Sequence, residues 1–412
     1  MEASAALGRV LNVLMISQYY RPEPIGSGPV CADLAEAFAG AGQNVRVLTA
    51  RPHYPGHAVY PSYRDGALDR QLINDVGVTR VATYLRAGGS TVNRLMNESS
   101  FAISGGSALL RDRSAPADIV VALCPSIFTV LLASAQSRRG TRCVALVHDI
   151  QSGIAEGLGM AGGKTIGALR RLERVAFNRC DLLVVLSDEM GQKLRRMGVT
   201  RPICVHPIWI DTDRIEATEP PAGPARVALY SGNFGRKQGL GQLIAAAAEL
   251  ARRNAGITVR LRGNGGERPR LEHEVRTAGL RNVDICDLLP ADLLSTALAD
   301  GDIHLVPQEP STADYAVPSK IYGIMAAARP FVATARPGST LWRLQEETDA
   351  FRCVPPDDPV ALADAVMALS ADGELRRALG RRGRAYVEEN CAKDASLRRL
   401  TETIAGTACD RR

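Results

Sequence analysis

Short apolar runs that alternate with segments of helical length are the feature that most limits the fold of this chain. In the first half such runs occupy residues 10–16, 45–49, 119–123, 144–147 and 182–186. The segments between them read as helices, as in 29–39, which begins with proline and ends before two glycines. Strands that alternate with helices pair in parallel, so the sequence predicts an α/β fold with doubly wound sheets.

A proline-rich stretch without helical or strand period, residues 206–225, interrupts this alternation and predicts a linker. The alternation then restarts, with strands expected at 227–230, 258–262, 283–285, 303–306 and 331–334. One hydrophobic core rarely extends beyond about 250–300 residues, and this chain has 412. We therefore expect two tandem Rossmann-like domains, 1–208 and 209–390, followed by a helical tail, 391–412, that can pack back on the N-terminal domain.

Charge and cysteine content narrow the function. The net charge is +6, but no basic stripe with interleaved aromatic residues is present, which argues against a nucleic-acid partner. A phosphate-bearing substrate or an anionic membrane surface stays open. The nine cysteines occur singly, with no C-x-x-C pair, so we expect reduced thiols and neither a disulfide framework nor a metal site.

The N-terminus and the longest uncharged run bear on location. The opening residues lack the basic and apolar regions of a signal peptide. The run that begins at Ile119 contains Pro125 and Ser126, which predicts strand, turn and helix rather than a membrane span. We expect a cytoplasmic protein, either soluble or peripheral at the inner face of the membrane.

Ligands of open α/β sheets bind where loops leave the strands, and the helices that follow favour anions at their N-termini. The first such loop contains Gly26, Ser27 and Gly28, small residues that let backbone amides approach a phosphate. The loop does not meet the dinucleotide-binding fingerprint, because Cys31 occupies the sixth position. A flexible glycine turn explains these residues equally well.

A second loop, residues 231–239, combines glycines with cations directly after a strand. It opens with Gly232 and Asn233 and continues with Arg236 and Lys237. Arginine offers a fork of donors and lysine a point charge, which is typical of diphosphate recognition. The alternative is a solvent-exposed turn.

Two further loops of the second half occupy the same position relative to their strands. Their candidate residues are Gly263, Asn264 and Gly265 in one, and Pro318, Ser319 and Lys320 in the other. The glycine-rich loop suits packing against a flat base, or is a plain connection. The second loop puts a hydroxyl and a positive charge at a helix start, which favours an anion, although the serine alone could be a helix cap.

Histidine offers a candidate in the first half. His148 follows the apolar run 144–147 and suits the role of an acid, a base or a sugar-orienting donor, though a lone histidine is as often structural. His53 and His57, in a proline-rich segment, are weaker candidates.

Seven segments, in this order, resemble glycosyltransferases of the GT-B type, most closely the retaining family 4 and its colanic-acid-type exopolysaccharide branch. No single segment is decisive, but the set covers almost the whole chain. The segments are VLMISQYYRPEPIGSG (13–28), ALVHDIQSGIAEGLG (145–159), DLLVVLSDEM (181–190), HPIWIDTDRI (206–215), YSGNFGRKQGL (230–240), RGNGGER (262–268) and VPSKIYGIMAAARPFVAT (317–334).

The resemblance implies two domains that face each other across a cleft, the N-terminal one for an acceptor and the C-terminal one for a nucleotide diphosphate sugar. It implies sugar transfer to an acceptor hydroxyl, with retention, in polysaccharide, glycolipid or specialised-metabolite biosynthesis. No metal or cofactor is implied, because basic residues neutralise the leaving diphosphate. The implied catalytic residues are His148, Arg236 and Lys237, and the implied donor-binding residues are Gly26, Ser27, Gly28, Gly232, Asn233, Gly263, Asn264, Gly265, Glu309, Pro318, Ser319 and Lys320.

Two departures from the family pattern affect the donor site. Asn233 and Gln238 stand where many members have arginine and lysine, with the cations moved inward. Tyr315 and Gly323 stand at the two positions of a paired-glutamate motif, whose second glutamate normally holds the nucleotide ribose. The candidates to replace these carboxylates are Glu309 and Asp314.

Two alternative functions and one surface property stay open. A nucleotide-sugar epimerase would share the architecture but needs acid and base carboxylates that the N-terminal loops do not offer. A non-catalytic nucleotide-sugar-binding protein would explain the lost glutamates. Four arginines lie along one N-terminal segment: Arg64, Arg70, Arg86 and Arg94. The resemblance implies that this segment can meet a membrane with a lipid-linked acceptor, but an ordinary solvated face explains the arginines better.

Overall fold

The computed structural model describes residues 9–23, 27–54, 56, 58–86, 91–112, 114–137 and 140–409. The chain divides into two compact units, Met1–His206 with Asp394–Arg412 and Pro207–Lys393. The division falls two residues before the boundary expected from the sequence.

The N-terminal unit is built on an eight-stranded sheet with the order β3-β4-β2-β1-β5-β6-β7-β8. Neighbouring strands pair in parallel except β3 and β4. The strands are β1 (Asn12–Ile16), β2 (Asn44–Ala50), β3 (Arg70–Ile73), β4 (Val76–Val81), β5 (Ile119–Cys124), β6 (Arg142–Val147), β7 (Leu182–Val185) and β8 (Ile203–Val205). The helices between them are α1 (Ser27–Gly40), α2 (Thr91–Arg111), α3 (Ile127–Gln136), α4 (Gln151–Gly157), α5 (Gly163–Phe177) and α6 (Asp188–Arg196).

The central strands follow from their sequences. Every residue of β5 and β6 is buried, as expected for apolar strands covered by helices on both faces of a parallel sheet. Ser187 marks the start of α6, since its side chain accepts a hydrogen bond from the Met190 amide. Helix α1 begins two residues earlier than predicted, because Pro29 needs only to lie in the first turn, so Ser27 and Gly28 are helical.

The hairpin of β3 and β4 was not predicted from the sequence. Asn74 and Asp75 connect the strands, and both adopt positive φ, 49° and 63°. These angles are those of the two-residue turn that suits a hairpin, and an Asn-Asp pair between apolar strands could have indicated it. The short strands β3, β4 and β8 lacked the continuous apolar runs by which the others were found.

The C-terminal unit has a six-stranded parallel sheet with the order β11-β10-β9-β12-β13-β14. Its strands are β9 (Val227–Ser231), β10 (Thr258–Arg262), β11 (Val283–Cys286), β12 (Ile303–Val306), β13 (Phe331–Thr334) and β14 (Arg352–Val354). The helices are α7 (Gly241–Arg252), α8 (Arg268–Thr277), α9 (Leu294–Ala299), α10 (Lys320–Ala326), α11 (Thr340–Thr348), α12 (Pro359–Ala371), α13 (Gly373–Asn390) and α14 (Lys393–Cys409), the last of which runs on into the N-terminal unit as divided above.

The winding of the second sheet fixes where its ligand crevice lies. From β9 the chain moves outward through β10 to β11, and it then returns to β12 and moves the other way through β13 to β14. The order therefore reverses between β9 and β12. In open α/β sheets ligands bind beyond the carboxyl ends of the strands at such a reversal. The doubly wound α/β fold predicted from the alternation is confirmed in both units.

Candidate functional site

The loop after β9 is held by a hydrogen-bonded aromatic anchor. Phe234 is buried, its amide donates to the Asn264 carbonyl at 2.8 Å, and its carbonyl accepts from the Glu267 amide at 2.9 Å. The Tyr230 hydroxyl donates to the carbonyl of Asn233 at 2.7 Å. These bonds fix the turn and leave the Asn233 side chain exposed.

The glycines of the loop after β10 allow the loop after β9 to approach closely. A Cβ on Gly263 would lie 1.9 Å from the Gly232 carbonyl oxygen, and one on Gly265 would lie 2.5 Å from the Phe234 carbonyl oxygen. Asn264 takes part through its carbonyl, as described above. The sequence-based interpretation, a flat surface for a base, therefore gives only part of the reason for these residues, since they are needed for backbone packing.

The cations Arg236 and Lys237 lie in a short 3-10 turn beside the crevice. Arg236 is exposed and Lys237 half-buried. The Lys237 carbonyl accepts a hydrogen bond from the Glu309 amide at 3.0 Å, which joins the loop after β9 to the loop after β12. The loops on both sides of the reversal point are thus one hydrogen-bonded assembly, and it carries two of the predicted cations.

The segment 318–320 leads into α10 on the same edge. Pro318 is half-buried and Ser319 exposed, and the Ser319 side chain makes no capping hydrogen bond. Ser319 thus occupies the N-cap position of α10 without a capping hydrogen bond from its side chain. Its hydroxyl stays accessible at the start of the helix.

Lys320 is the most unusual group of the site. Its ammonium nitrogen is buried and has no hydrogen-bond partner among the described residues. The Nζ atom lies 3.6 Å from the ring centroid of Tyr230 and 2.8 Å from the position of a Cβ on Gly232. Burial lowers the pKa of Lys320 from its ordinary value to about 7.

The carboxylates proposed to replace the missing glutamates differ in their availability. The Asp314 side chain accepts from the Thr340 amide at 3.0 Å and so anchors the start of α11. Glu309 is half-buried, and its carboxylate accepts from the Ser311 hydroxyl at 3.0 Å. A Cβ on Gly323 would meet no atom within 4 Å. Asp314 is thus engaged elsewhere, while Gly323 borders open space.

In the N-terminal unit, Ser27 and Gly28 begin α1, and Gly26 lies outside the described residues. A Cβ on Gly28 would lie 3.1 Å from the Glu23 carbonyl oxygen, so this glycine also allows a close backbone contact. His148 follows β6 and is half-buried, and burial lowers its pKa to about 4 although Asp149 opposes the shift. At neutral pH it is therefore an uncharged imidazole, able to donate or accept one hydrogen bond.

His53 has a structural setting. Its Nδ1 atom lies 2.9 Å from the Arg51 carbonyl oxygen, and its ring packs near Tyr19 with centroids 5.6 Å apart. This arrangement orients the ring within its own loop. His57 lies outside the described residues.

Two buried glutamates were missed by the sequence analysis. Glu23 accepts hydrogen bonds from the amides of Tyr20, His53 and Tyr54, and so ties the loop after β1 to the loop after β2. Glu173 on α5 accepts from the Ser152 amide at 3.1 Å and from the Ser152 hydroxyl. Burial raises the pKa of both carboxyl groups. Only the position of Glu23, between two prolines after a strand, was a signal in the sequence.

Neither a metal cluster nor a membrane span is found in the part of the chain that the structure describes. No three His, Cys, Asp or Glu side chains come together there in a way that could hold a metal ion. No helix there is long and apolar enough to cross a bilayer.

Comparisons with known proteins define the class. The Glycosyl transferase 4-like domain model matches residues 26–209, and the model for Glycosyl transferases group 1 matches residues 225–372. The structure also resembles sucrose-phosphate synthase from Thermosynechococcus elongatus, with a TM-score of 0.79 at 18% identity over 97% of this chain and 100% of that one. The fold is that of GT-B glycosyltransferases.

Relatives in sequence identify the family. WcaI of Escherichia coli (strain K12), named for colanic acid biosynthesis, is 30% identical over 96% of this chain and 100% of its own length. Anabaena Alr3699/HepE, solved in complex with UDP-glucose, gives a TM-score of 0.70 at 15% identity over 96% of this chain and 100% of that one. The chain belongs to the family of 4-like and group 1 glycosyltransferases. The predicted resemblance is confirmed, and the epimerase alternative gains no support.

Proposed function

We propose that this glycosyltransferase takes its sugar from a nucleotide diphosphate donor held by the C-terminal unit and transfers it, with retention, to an acceptor hydroxyl held by the N-terminal unit. The supporting observation is the hydrogen-bonded assembly of loops at the reversal point between β9 and β12, with Arg236, Lys237 and Lys320 on it. Its relatives favour a role in polysaccharide or glycolipid biosynthesis, since WcaI is named for colanic acid.

The chemistry follows from where charge develops. When the bond between the anomeric carbon and the diphosphate breaks, the leaving group gains negative charge, and positive groups fixed at that place stabilise the transition state. Arg236 and Lys237 take this role, which needs no metal. The glycines Gly232, Gly263 and Gly265 let the backbone approach the nucleotide. His148, uncharged at neutral pH, orients a hydroxyl of the transferred sugar.

Thermal shifts with a panel of nucleotides and nucleotide sugars identify the donor, because a ligand of the native state raises the melting temperature by an amount that grows with its concentration relative to its Kd. Turnover of that donor is then measured for Lys237→Ala and Arg236→Ala. We expect each to lower kcat by roughly 100-fold or more. Arg276→Ala is the matched control, since Arg276 is exposed in the last turn of α8.

The outcomes separate the enzyme from the alternatives. A wild-type protein that binds a nucleotide sugar but turns over none, with any acceptor, would be a binding protein. Conversion of the donor without an acceptor would be epimerisation. Retention is checked by the anomeric configuration of the product in NMR spectra.

The exposed side of α2 supports a lipid-linked acceptor and peripheral membrane contact. Met96, Ile103 and Leu110 follow at intervals of seven and share one side of the helix, with exposed fractions of 45%, 74% and 88%. On the opposite side Phe101 is buried, and Gly105 lies against Leu48 of β2 and Leu132 of α3. Because a second apolar side of α2 is exposed to solvent, we expect it to be a binding surface.

The edge of the sheet extends this surface. Arg70 pairs with Thr79, which pairs with Leu48, and Leu48 packs beneath Gly105 of α2. Since cross-strand neighbours point to the same side, Arg70 and the 74% exposed Leu72 lie on the face that α2 covers. Apolar side chains flanked by arginine are typical of binding to anionic lipid.

The four arginines singled out in the sequence differ in their settings. Arg94 is paired with Glu98 at 2.8 Å, so it is engaged within α2. All four, Arg64, Arg70, Arg86 and Arg94, are exposed.

Flotation with phosphatidylglycerol vesicles at low and high salt tests this contact. We expect the wild type to float with the vesicles at low salt, and the Ile103→Ser/Leu110→Ser variant to remain in the bottom fraction. Val360→Ser, at an exposed apolar residue of the other unit, is the control. If the wild type does not float at either salt concentration, the membrane contact is wrong and this face is an ordinary solvated surface.

A further inference from the structure

Lysine is rare in this chain, and Lys320 is one of two lysines at the carboxyl edge of the second sheet. Of fifty basic residues only five are lysines: Lys164, Lys193, Lys237, Lys320 and Lys393. Two of them, Lys237 and Lys320, lie on the loop assembly at the carboxyl edge of the second sheet. Lysine differs from arginine in that burial readily changes its protonation.

The described residues around Lys320 offer its ammonium group no hydrogen-bond acceptor. The buried Nζ atom faces the ring of Tyr230 and makes no hydrogen bond with the described residues. A side chain on Gly232 would collide with it, so the glycine after β9 leaves the room that the ammonium fills. An aromatic face attracts a cation, but it does not replace the three hydrogen bonds that water provides.

The titratable groups around Lys320 supply no negative charge. Tyr230 on β9 stays protonated, since burial raises its pKa. His304 on β12 is buried, and burial lowers its pKa to about 4; its bond with the Leu298 carbonyl opposes the shift, and Arg329 and Arg262 add to it. Arg262 binds Asp300, and Arg329 binds the Thr218 hydroxyl. No carboxylate in the described part of the chain pairs with Lys320.

We propose that Lys320 takes up a proton from solvent when the diphosphate of the donor binds, and that the resulting ammonium group then donates hydrogen bonds to the oxygens of that diphosphate. This rests on the proposed function and adds a step to it. An anion brings both the charge and the acceptors that the pocket lacks, so it stabilises the protonated amine. Burial already lowers the pKa to about 7, so much of the amine is neutral before the donor arrives.

Proton uptake by Lys320 makes donor affinity depend on pH. A site that gains a proton on binding loses affinity as the pH rises above the pKa of the free form, because the proton must be taken from a more dilute pool. We expect donor affinity to fall by up to about tenfold per pH unit above pH 7 and to be flat below it.

Calorimetry with UDP-glucose at pH 8, in buffers of different ionisation enthalpy, counts the protons directly. UDP-glucose is a suitable probe because its diphosphate has no group that titrates near this pH. We expect uptake of about 0.9 proton by the wild type, the fraction that is neutral at pH 8 for a pKa near 7. Lys320→Met abolishes the uptake and weakens binding, Lys320→Arg binds without uptake, and Lys237→Met, the matched control, keeps the uptake.

Lysine-selective 13C labelling of the free protein gives a test that needs no donor. With five lysines the spectrum is short, and single substitutions assign it. We expect the Lys320 Cε signal to titrate with a midpoint near 7, against ordinary midpoints for the exposed lysines. A midpoint near 10 for Lys320 overturns the inference.

The outcomes distinguish this inference from the proposed function. If UDP-glucose binds and is turned over without proton uptake, or if Lys320→Met keeps the uptake, the inference fails while the proposed function stands. If no member of the nucleotide-sugar panel binds, the proposed function fails, and the inference fails with it. Lys320→Arg also guards against a folding defect, because it retains the cation.

Discussion

A Cβ added to Gly263 would lie 1.9 Å from the carbonyl oxygen of Gly232. The ends of β9 and β10 therefore approach each other so closely that only glycine fits at position 263. This contact sets the distance between the two loops that carry the candidate donor-binding residues.

Replacing Gly263 by alanine is expected to separate these loops. Overpacking of this kind typically costs about 1–3 kcal/mol, and we expect donor affinity to fall along with the free energy of unfolding. Gly266→Ala is a control in the same loop, because a Cβ there meets nothing within 4 Å. Urea unfolding and donor titration of both variants check the prediction, and equal behaviour of the two would contradict it.

The buried pair of Glu173 and Ser152 is expected to hold the segment that follows His148. Both Ser152 donors end on the Glu173 carboxylate, which is 1% exposed. Glu173→Ala leaves these donors unpaired, and we expect a loss of about 1–3 kcal/mol in unfolding free energy together with reduced turnover.

The control for this pair is Glu156→Ala. Glu156 is on the exposed side of α4 and pairs with Arg170 at the surface, so its loss should cost about 1 kcal/mol or less. Both variants are compared by chemical denaturation. A Glu173→Ala protein as stable as the control would show that the buried contact contributes little.

His304 predicts a loss of stability in mild acid. Its folded pKa is lowered to about 4, whereas the unfolded value is near 6.5. The unfolded state therefore binds more protons, and stability falls as the pH drops from about 6.5 to about 4, by up to about 3 kcal/mol in total.

We expect His304→Gln to have a flatter dependence of the unfolding free energy on pH than the wild type over this window. His273→Gln is the control, because His273 is exposed on α8. Urea titrations at several pH values measure all three proteins. If the unfolding free energies of the wild type and of His304→Gln depend on pH in the same way, the buried histidine is not the cause of the loss of stability in acid.

Gly323 offers room to restore the carboxylate that family members have at this position. A Cβ there meets no atom of the described residues within 4 Å, so we expect Gly323→Glu to fold. We expect it to bind UDP about 10-fold to 100-fold more tightly, the effect of about 1.5–3 kcal/mol from one added hydrogen bond to a charged acceptor. Gly323→Ala is the control, and calorimetry with UDP is the measurement. No gain over the alanine variant would mean that the ribose lies elsewhere.

Most of the fold was predictable from the sequence because its signals are local. Buried parallel strands such as β5 and β6 are unbroken apolar runs, and helices such as α1 carry proline and glycine at their ends. Short strands with exposed residues, as in the β3–β4 hairpin, give no such run and were missed. The loops of the candidate site stay a prediction, made because each leads from a strand to a helix.

The sequence by itself determined the family, the two α/β units and the candidate residues, because motif order and apolar periodicity are properties of the chain. Only the tertiary structure decided which of those residues have a partner. Asp314 is engaged at the start of α11, Gly323 borders open space, and the buried ammonium group of Lys320 has no acceptor among the residues that the structure describes. Burial and hydrogen bonding depend on residues distant in sequence, and they set both the pKa of a lysine and the space beside a glycine.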